Sequence, residues 1–359
     1  MGQGRYQTNN LITSASMLTV SSATDGIVGS AVPYPVSGSA VFVAQGPYTG
    51  DDDHLYIVQI DNINAGDEVG QATFCWRRDD SVGWEATGVA TDSVFLSLGD
   101  GVQIKWTSGS GSDFVVGDTW SFLAVRIHGR GALVDRKATT ALHTTSVTGQ
   151  YIIIDLGDSQ QVTSFILGMH NLTSGASIAL SANDTDSWGS PSYSAEVAWS
   201  SRNAGLYLDQ TYRYWRVDFS DPGNADGFLR VGDLYLGTYV ALSQNFVDSG
   251  YGWTPTVYGE DLIFGSNPSG RYAMGRGLVM DLAYELLPTA DLEVLQAIWE
   301  EAHDDLVARA SVPIWLTPNS DAPGRTIFGL FGSTLPYRNA NPQCTYWSVS
   351  FSFVELPRG

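Results

Sequence analysis

The side chains with which this 359-residue chain could do chemistry are five histidines, two cysteines and 38 acidic residues. His54, His128, His143, His170 and His303 are scattered, and none stands in a Gly-x-Ser-x-Gly elbow or a related nucleophile motif. Nucleophilic catalysis needs a base held next to the attacking Ser or Cys, so no catalytic residue is assigned. His170, in Gly168-Met169-His170-Asn171-Leu172, reads as a histidine hydrogen-bonded at a strand end. Cys75 and Cys344 are too few and too far apart for a disulfide framework or a cysteine-rich zinc site. Cys75 reads as a small buried residue. Asp51-Asp52-Asp53 offers the oxygen ligands a hard cation such as Ca²⁺ takes, but consecutive side chains of an extended segment diverge and the spacing is not that of an EF-hand. That stretch and Asp184-Thr185-Asp186 read as solvated loops, so no metal ligand and no cofactor is expected. Glycoside cleavage requires two carboxyls roughly 5 to 9 Å apart in a cleft, and no spacing in so acidic a chain singles out a pair. Sugar binding uses exposed aromatic faces with a few polar groups beside them. Trp84, between Gly83 and Glu85 in an expected loop, and Tyr48 are the glycan-contact candidates, whereas Trp76, Trp106 and Trp120 alternate with polar residues and belong in a core.

The elements that must position these groups are strands. Hydrophobic residues make up 43% and charged residues 16%, which excludes a disordered chain. The 11 Trp, 17 Tyr and 39 Gly, in short alternating runs, indicate an all-β, multidomain protein. The formal net charge of −20, with no Lys/Arg run, argues against nucleic acid as a partner. The start of the chain lacks an apolar signal core and no window is long enough to span a bilayer, so a cytoplasmically made product without membrane insertion is expected.

The most patterned stretch is Tyr212-Arg213-Tyr214-Trp215-Arg216-Val217-Asp218-Phe219, where Trp215, Val217 and Phe219 alternate with Tyr214, Arg216 and Asp218. Asp221-Pro222-Gly223-Asn224 supplies turn chemistry, and a second run follows with Leu229, Val231 and Tyr235. With the strands Tyr151–Gly157, ending Asp-Leu-Gly, and Phe165–Leu172, this stretch resembles a discoidin-like (galactose-binding-like) β-sandwich over residues 132–237. More narrowly it resembles the discoidin-like minor structural proteins of tailed phages. In those proteins a "Leu-Asp-Arg" turn follows soon after the opening strand. Here the comparable Leu133-Val134-Asp135-Arg136 comes a hundred residues after the strand at 9–22, which implies a discontinuous sandwich, 9–43 plus 128–237, interrupted by an inserted domain at 44–127.

The insert alternates at Tyr56, Val58, Ile60 and at Ala72, Phe74, Trp76, and Leu98-Gly99-Asp100-Gly101 marks a hairpin. Together with Gly46-Pro47-Tyr48-Thr49-Gly50 and Gly117-Asp118-Thr119-Trp120, it is similar to a small β-sandwich module of phage tail and baseplate proteins. After Gly237, residues 238–270 read as loop-rich and Leu278–Leu286 as a strand. A helix is expected over 290–308, N-capped by Thr289, with Leu292, Leu295, Ile298, Trp299, Ala302 and Leu306 on one stripe. Val312–Leu316 reads as an edge strand because of Pro313, Arg325–Phe331 as another strand, and Trp347, Val349, Phe351 and Phe353 alternate with serines in the last. This order resembles the ring-forming domain of phage distal-tail and tail-tube-related proteins, so 238–359 is expected to be a ring-forming β domain with one packed helix. The resemblance implies assembly through a geometry built on Leu295, Trp299, Trp347 and Phe351.

The function these resemblances imply is structural: a tail-tip or baseplate component of a tailed-phage virion, not an enzyme. It would form a six-fold or three-fold ring with itself, meet other tail and baseplate proteins, and contact host surface glycans. Two other classes stay open, a carbohydrate-binding adhesin and, behind it, a polysaccharide-degrading enzyme.

Overall fold

The computed structural model describes residues 3–50, 53–126, 128–201, 203–246, 252–264, 267–303 and 312–356. Strands dominate, with one α-helix and short 3-10 turns among the described residues, which is the all-β class the composition indicates. Two compact units are present. Unit 1 comprises Met1–Ser22 and Ala132–Gly359, and unit 2 is Ala23–Gly131.

Unit 1 opens with β1 (Arg5–Asn10) and β2 (Leu18–Val20). Unit 2 then supplies β3 (Gly26–Val28), β4 (Val32–Pro33), β5 (Val41–Gln45), β6 (Pro47–Tyr48) and β7 (His54–Asn62). It continues with β8 (Thr73–Arg78), β9 (Ala86–Ala90), β10 (Leu96–Gly99), β11 (Val102–Thr107) and β12 (Thr119–Val125). Residues 23–43, expected with the first sandwich, lie inside unit 2, where β3 and β4 pair with β12.

Unit 2 is a sandwich. One sheet runs β6-β3-β12-β7-β8-β9 and the other β10-β11-β5. Their inner faces share one core: Tyr56, Val58, Ile60, Phe74 and Phe122 from the first sheet meet Leu98, Val102, Ile104 and Trp106 from the second. Period-two alternation puts these side chains inward and Leu55, Ile57 and Gln59 outward along β7. The β10–β11 hairpin turns through Gly99, Asp100 and Gly101, all left-handed (φ 96, 47 and 75°). A Cβ on Gly101 would lie 2.0 Å from the Pro47 carbonyl oxygen, so glycine is required there on two counts. The Asp118 of the Gly-Asp-Thr-Trp motif is buried, and its carboxylate accepts the Ser37, Gly38 and Val115 N–H groups at 2.7, 3.0 and 2.8 Å.

Unit 1 resumes with β13 (Leu142–His143), β14 (Gln150–Gly168), β15 (Ser177–Asn183), β16 (Tyr193–Glu196), β17 (Ala204–Ser220), β18 (Arg230–Val231) and β19 (Asp233–Val240). The remainder is β20 (Gly252–Phe264), β21 (Asn267–Pro288), α1 (Thr289–Glu301), β22 (Ile314–Thr317), β23 (Ile327–Phe331), β24 (Tyr337–Asn339) and β25 (Tyr346–Glu355). One sheet follows the order β16-β15-β17-β14-β19-β1-β22-β23-β25-β21-β20, and β13 pairs with β18 apart from it. The N-terminal strand joins the halves: β1 pairs with β19 on one side and β22 on the other. The strand expected at 151–157 and the first half of that expected at 165–172 are parts of β14, which stays paired with β17 across an irregularity between Asp155 and Gln160, while residues 169–172 follow it outside any strand.

Three expectations need correction. Residues 252–264, within the span read as loop, form β20, hairpinned to β21, and Pro255 is tolerated because β20 ends the sheet. β22 is not an edge, since β1 and β23 flank it; Pro313 precedes the first paired residue and so costs the ladder nothing. The N-cap of α1 is Pro288, and the Thr289 hydroxyl instead donates towards the Cys344 and Thr345 carbonyls. Residues 304–308 of the expected helix lie outside the described residues. Leu292, Leu295 and Ile298 are buried as the stripe requires, in a core shared with Met280, Leu282, Val349, Phe351 and Phe353.

Where β14, β19 and β22 converge, Gly168 lets the Trp315 indole lie against the backbone. A Cβ there would be 2.4 Å from Trp315 Cζ2 and Cη2. Gly168→Ala is expected to cost about 1–3 kcal/mol, read as a lower urea midpoint with an unchanged slope. An unchanged midpoint would mean that the indole gives way freely.

Candidate functional site

Along β17 the residues that alternate with the buried Trp215, Val217 and Phe219 are Tyr214, Arg216 and Asp218, and β14 places Tyr151, Ile153 and Asp155 beside them. Register sets this arrangement: Tyr151 is opposite Asp218, Ile153 opposite Arg216, and Asp155 opposite Tyr214. On the other side of β17, Ser181 of β15 faces Arg216. These residues line one face of the sheet and are only partly covered, apart from the small, buried Ser181.

Two rings flank the Arg216 guanidinium. Its Cζ is 4.2 Å from the Tyr151 ring centroid and 5.9 Å from that of Trp188. The guanidinium is oriented by Asp218, with Nε 2.9 Å from each carboxylate oxygen and Nη2 2.6 Å from Oδ1. Trp188 is oriented in turn, its indole N–H donating to Asp186 Oδ1 at 2.7 Å. One strand turn away, Arg213 donates to Asp155 through Nε (2.7 Å) and Nη2 (2.9 Å) and lies 4.7 Å from the Tyr214 ring. The Arg213 hydrogen bonds hold the Asp155 carboxyl below the usual carboxylate range against the opposing effect of burial, with the Gly157 N–H assisting. The outcome is a row of part-exposed aromatic faces interleaved with charges whose geometry is set in advance. Both carboxylates are engaged by arginines, so neither is poised as a general base.

No family model and no curated protein matches the chain. Solved structures similar to it include chitosan-binding module 1 of a chitosanase/glucanase from Paenibacillus sp. IK-5, at 18% identity, covering 31% of this chain and 86% of that one, TM-score 0.25. Another is CpGH89CBM32-5 from Clostridium perfringens, in complex with GalNAc-beta-1,3-galactose (15% identity, 30% and 83% covered, TM-score 0.25). A third is a Streptococcus pneumoniae fucose binding module (14% identity, 31% and 82% covered, TM-score 0.25).

The residues singled out from sequence are dispersed. Trp84 is 40% exposed, with the Arg77 guanidinium 5.6 Å from its ring. Tyr48 is fully buried in the unit 2 core, because β6 pairs with β3 and turns the ring inward, so it presents no face for stacking. Leu295 and Phe351 are buried in the unit 1 core, and Trp299 and Trp347 pack against it, the indole N–H groups donating to the Gly332 carbonyl and the Thr289 hydroxyl. These four hold α1 on its sheet. His170 is buried, its Nδ1 accepting the Leu172 N–H at 3.2 Å. Burial pushes the Cys75 thiol up to about 11. Asp53 caps the Arg126 N–H at 2.7 Å, while Asp51 and Asp52 lie outside the described residues. Among the described residues no helix is long and apolar enough to cross a membrane.

Sequence reasoning missed Tyr151, Trp188 and Arg216 as a group. The Tyr-Arg-Tyr-Trp-Arg-Val-Asp alternation already put Arg216 on the outer side of its strand. Nothing local brought Trp188, from the loop after β15, against it.

Proposed function

We propose that this chain is a non-catalytic glycan-recognition protein that binds through the outer face of β14 and β17. The observation that carries the reading is the Arg216 guanidinium flanked by the Tyr151 and Trp188 rings and steered by Asp218. Aromatic faces accept the apolar side of a pyranose, and fixed guanidinium and carboxylate groups meet its hydroxyls. Binding of the full chain to a glycan array, followed by titration of the best ligand, tests it. Trp188→Ala is expected to weaken that ligand at least about tenfold, the loss of one aromatic anchor. Trp84→Ala, run in parallel, examines the exposed indole of unit 2. Absence of glycan binding, or an affinity untouched by Trp188→Ala, would overturn this assignment of the face.

A second reading, a tail-tip or baseplate component of a phage virion, is favoured by the β20–β21 hairpin. β21 pairs with β25 only from Val279 onward, so from Asn267 to Leu278 its described partner is β20 alone. That leaves a two-stranded ribbon roughly 40 Å long at about 3.3 Å per residue. Isolated ribbons are marginally stable in water, and open edges invite strand addition. On this reading 238–359 acts as a third domain that assembles copies of the chain into a three-fold or six-fold ring, with other tail proteins as partners. Ring-shaped particles in negative-stain images would support it, and a strictly monomeric chain at all concentrations would count against it.

A further inference from the structure

Unit 2 carries a cluster that the glycan reading does not use. β7 and β8 pair with Tyr56 opposite Arg78, and the ladder closes where the Asp79 N–H donates to the Leu55 carbonyl at 3.0 Å. Continuing that register sets His54 across from Asp80. A turn begins at Asp79, which breaks strand alternation and lets two successive carboxylates reach one imidazole. His54 Nδ1 is 3.2 Å from Asp79 Oδ1 and 3.8 Å from Asp80 Oδ1, and one ligand atom from each of the three residues lies within 4.8 Å of the others.

We propose that His54, Asp79 and Asp80 form a binding site for a divalent transition-metal ion of the Zn²⁺ type. The separations support this. With metal–ligand bonds near 2.1 Å, neighbouring ligands sit about 3.0 Å apart in octahedral geometry and about 3.4 Å apart in tetrahedral geometry. The His54 spacings therefore close onto an ion with shifts of a few tenths of an ångström. One imidazole and two carboxylates suit Zn²⁺ or a neighbouring first-row ion better than Ca²⁺, which prefers an all-oxygen shell. His54 is largely buried at the strand end while both carboxylates are about half exposed, so the imidazole is held in place and the ion has a route in. The nearest competing cation, Arg78, is 3.6 Å from Asp80 but is drawn away by Glu85 at 2.8 Å and Asp100 at 3.1 Å. Asp53, next in sequence, is taken by Arg126. The metal would take the Nδ1 lone pair in place of the Asp79 contact.

The test is calorimetric titration of the full chain with ZnCl₂ at pH 7.5, with His54→Gln and Asp80→Asn measured alongside. One saturable site is expected. Each variant should weaken it at least about tenfold. Near-UV circular dichroism checks that both variants keep the wild-type fold, and both changes are at the end of a hairpin outside the core. No saturable binding, or an affinity that neither variant changes, would overturn the proposal and leave an ordinary His–Asp ion pair.

Discussion

Asp233→Asn is expected to remove a fall in stability of about 4 kcal/mol that the wild-type chain undergoes as pH rises from ~4 to ~7. Asp233 opens β19 and is 3% exposed, with Oδ1 accepting the Trp315 indole N–H at 2.9 Å. Burial pushes its carboxyl up to about 7, against smaller opposing effects of the Trp315 hydrogen bond and the Arg136 charge. In the unfolded chain the group titrates near 4. Below that pH both states hold the proton and the full stabilisation is present. Between the two values only the folded state holds it, so stability drops by up to about 1.4 kcal/mol per pH unit until the folded carboxyl itself ionises near 7. Asparagine keeps an acceptor for the indole and cannot ionise. Thermal or urea unfolding from pH 4 to 8 should therefore give Asp233→Asn a flatter profile and, at pH 8, a more stable protein than wild type. Parallel profiles for the two proteins would show that Asp233 is ionised in the folded state throughout.

Trp106→Ala should be among the most damaging single substitutions in unit 2, at about 3–5 kcal/mol. The indole is fully buried and surrounded by rings: Phe74 at 4.9 Å, Phe42 at 5.3 Å, Phe114 at 5.9 Å and Trp120 at 6.1 Å between centroids. Alanine would leave a cavity that these rigid neighbours cannot fill, and would remove one of the contacts through which the two sheets share a core. Trp106→Phe should cost less than about 1.5 kcal/mol, since Nε1 has no hydrogen-bond partner among the described residues and its loss strands no acceptor. Because the chain divides into two units with separate cores, calorimetry of Trp106→Ala should show an early transition for unit 2, with the transition of unit 1 little moved. A single transition displaced as a whole would mean that the units unfold together.

Alternation was the informative signal wherever one side of a strand is buried and the other is not. Trp215, Val217 and Phe219, or Val349, Phe351 and Phe353, identify themselves because a period of two cannot be mistaken for a helical stripe. The helix was equally plain, from Leu292, Leu295 and Ile298 at 3.6-residue spacing. The hairpin at Gly99-Asp100-Gly101 followed from the backbone conformations those residues adopt. By contrast, β20 was hidden because Pro255 and its glycines are tolerated on an edge strand, where a missing donor or side chain costs little.

By itself the sequence determined the strand-rich class, the amphipathic helix and which side of the patterned strands faces a core. These depend on local conformational preference and on hydrophobic period, both of which act within a few residues. Tertiary structure alone decided that Tyr48 is buried, that β1 joins β19 to β22, that Trp188 reaches Arg216, and that His54 meets Asp79 and Asp80. Those outcomes depend on the register and order of strands distant in the chain, and a shift of one residue would turn every side chain to the opposite face.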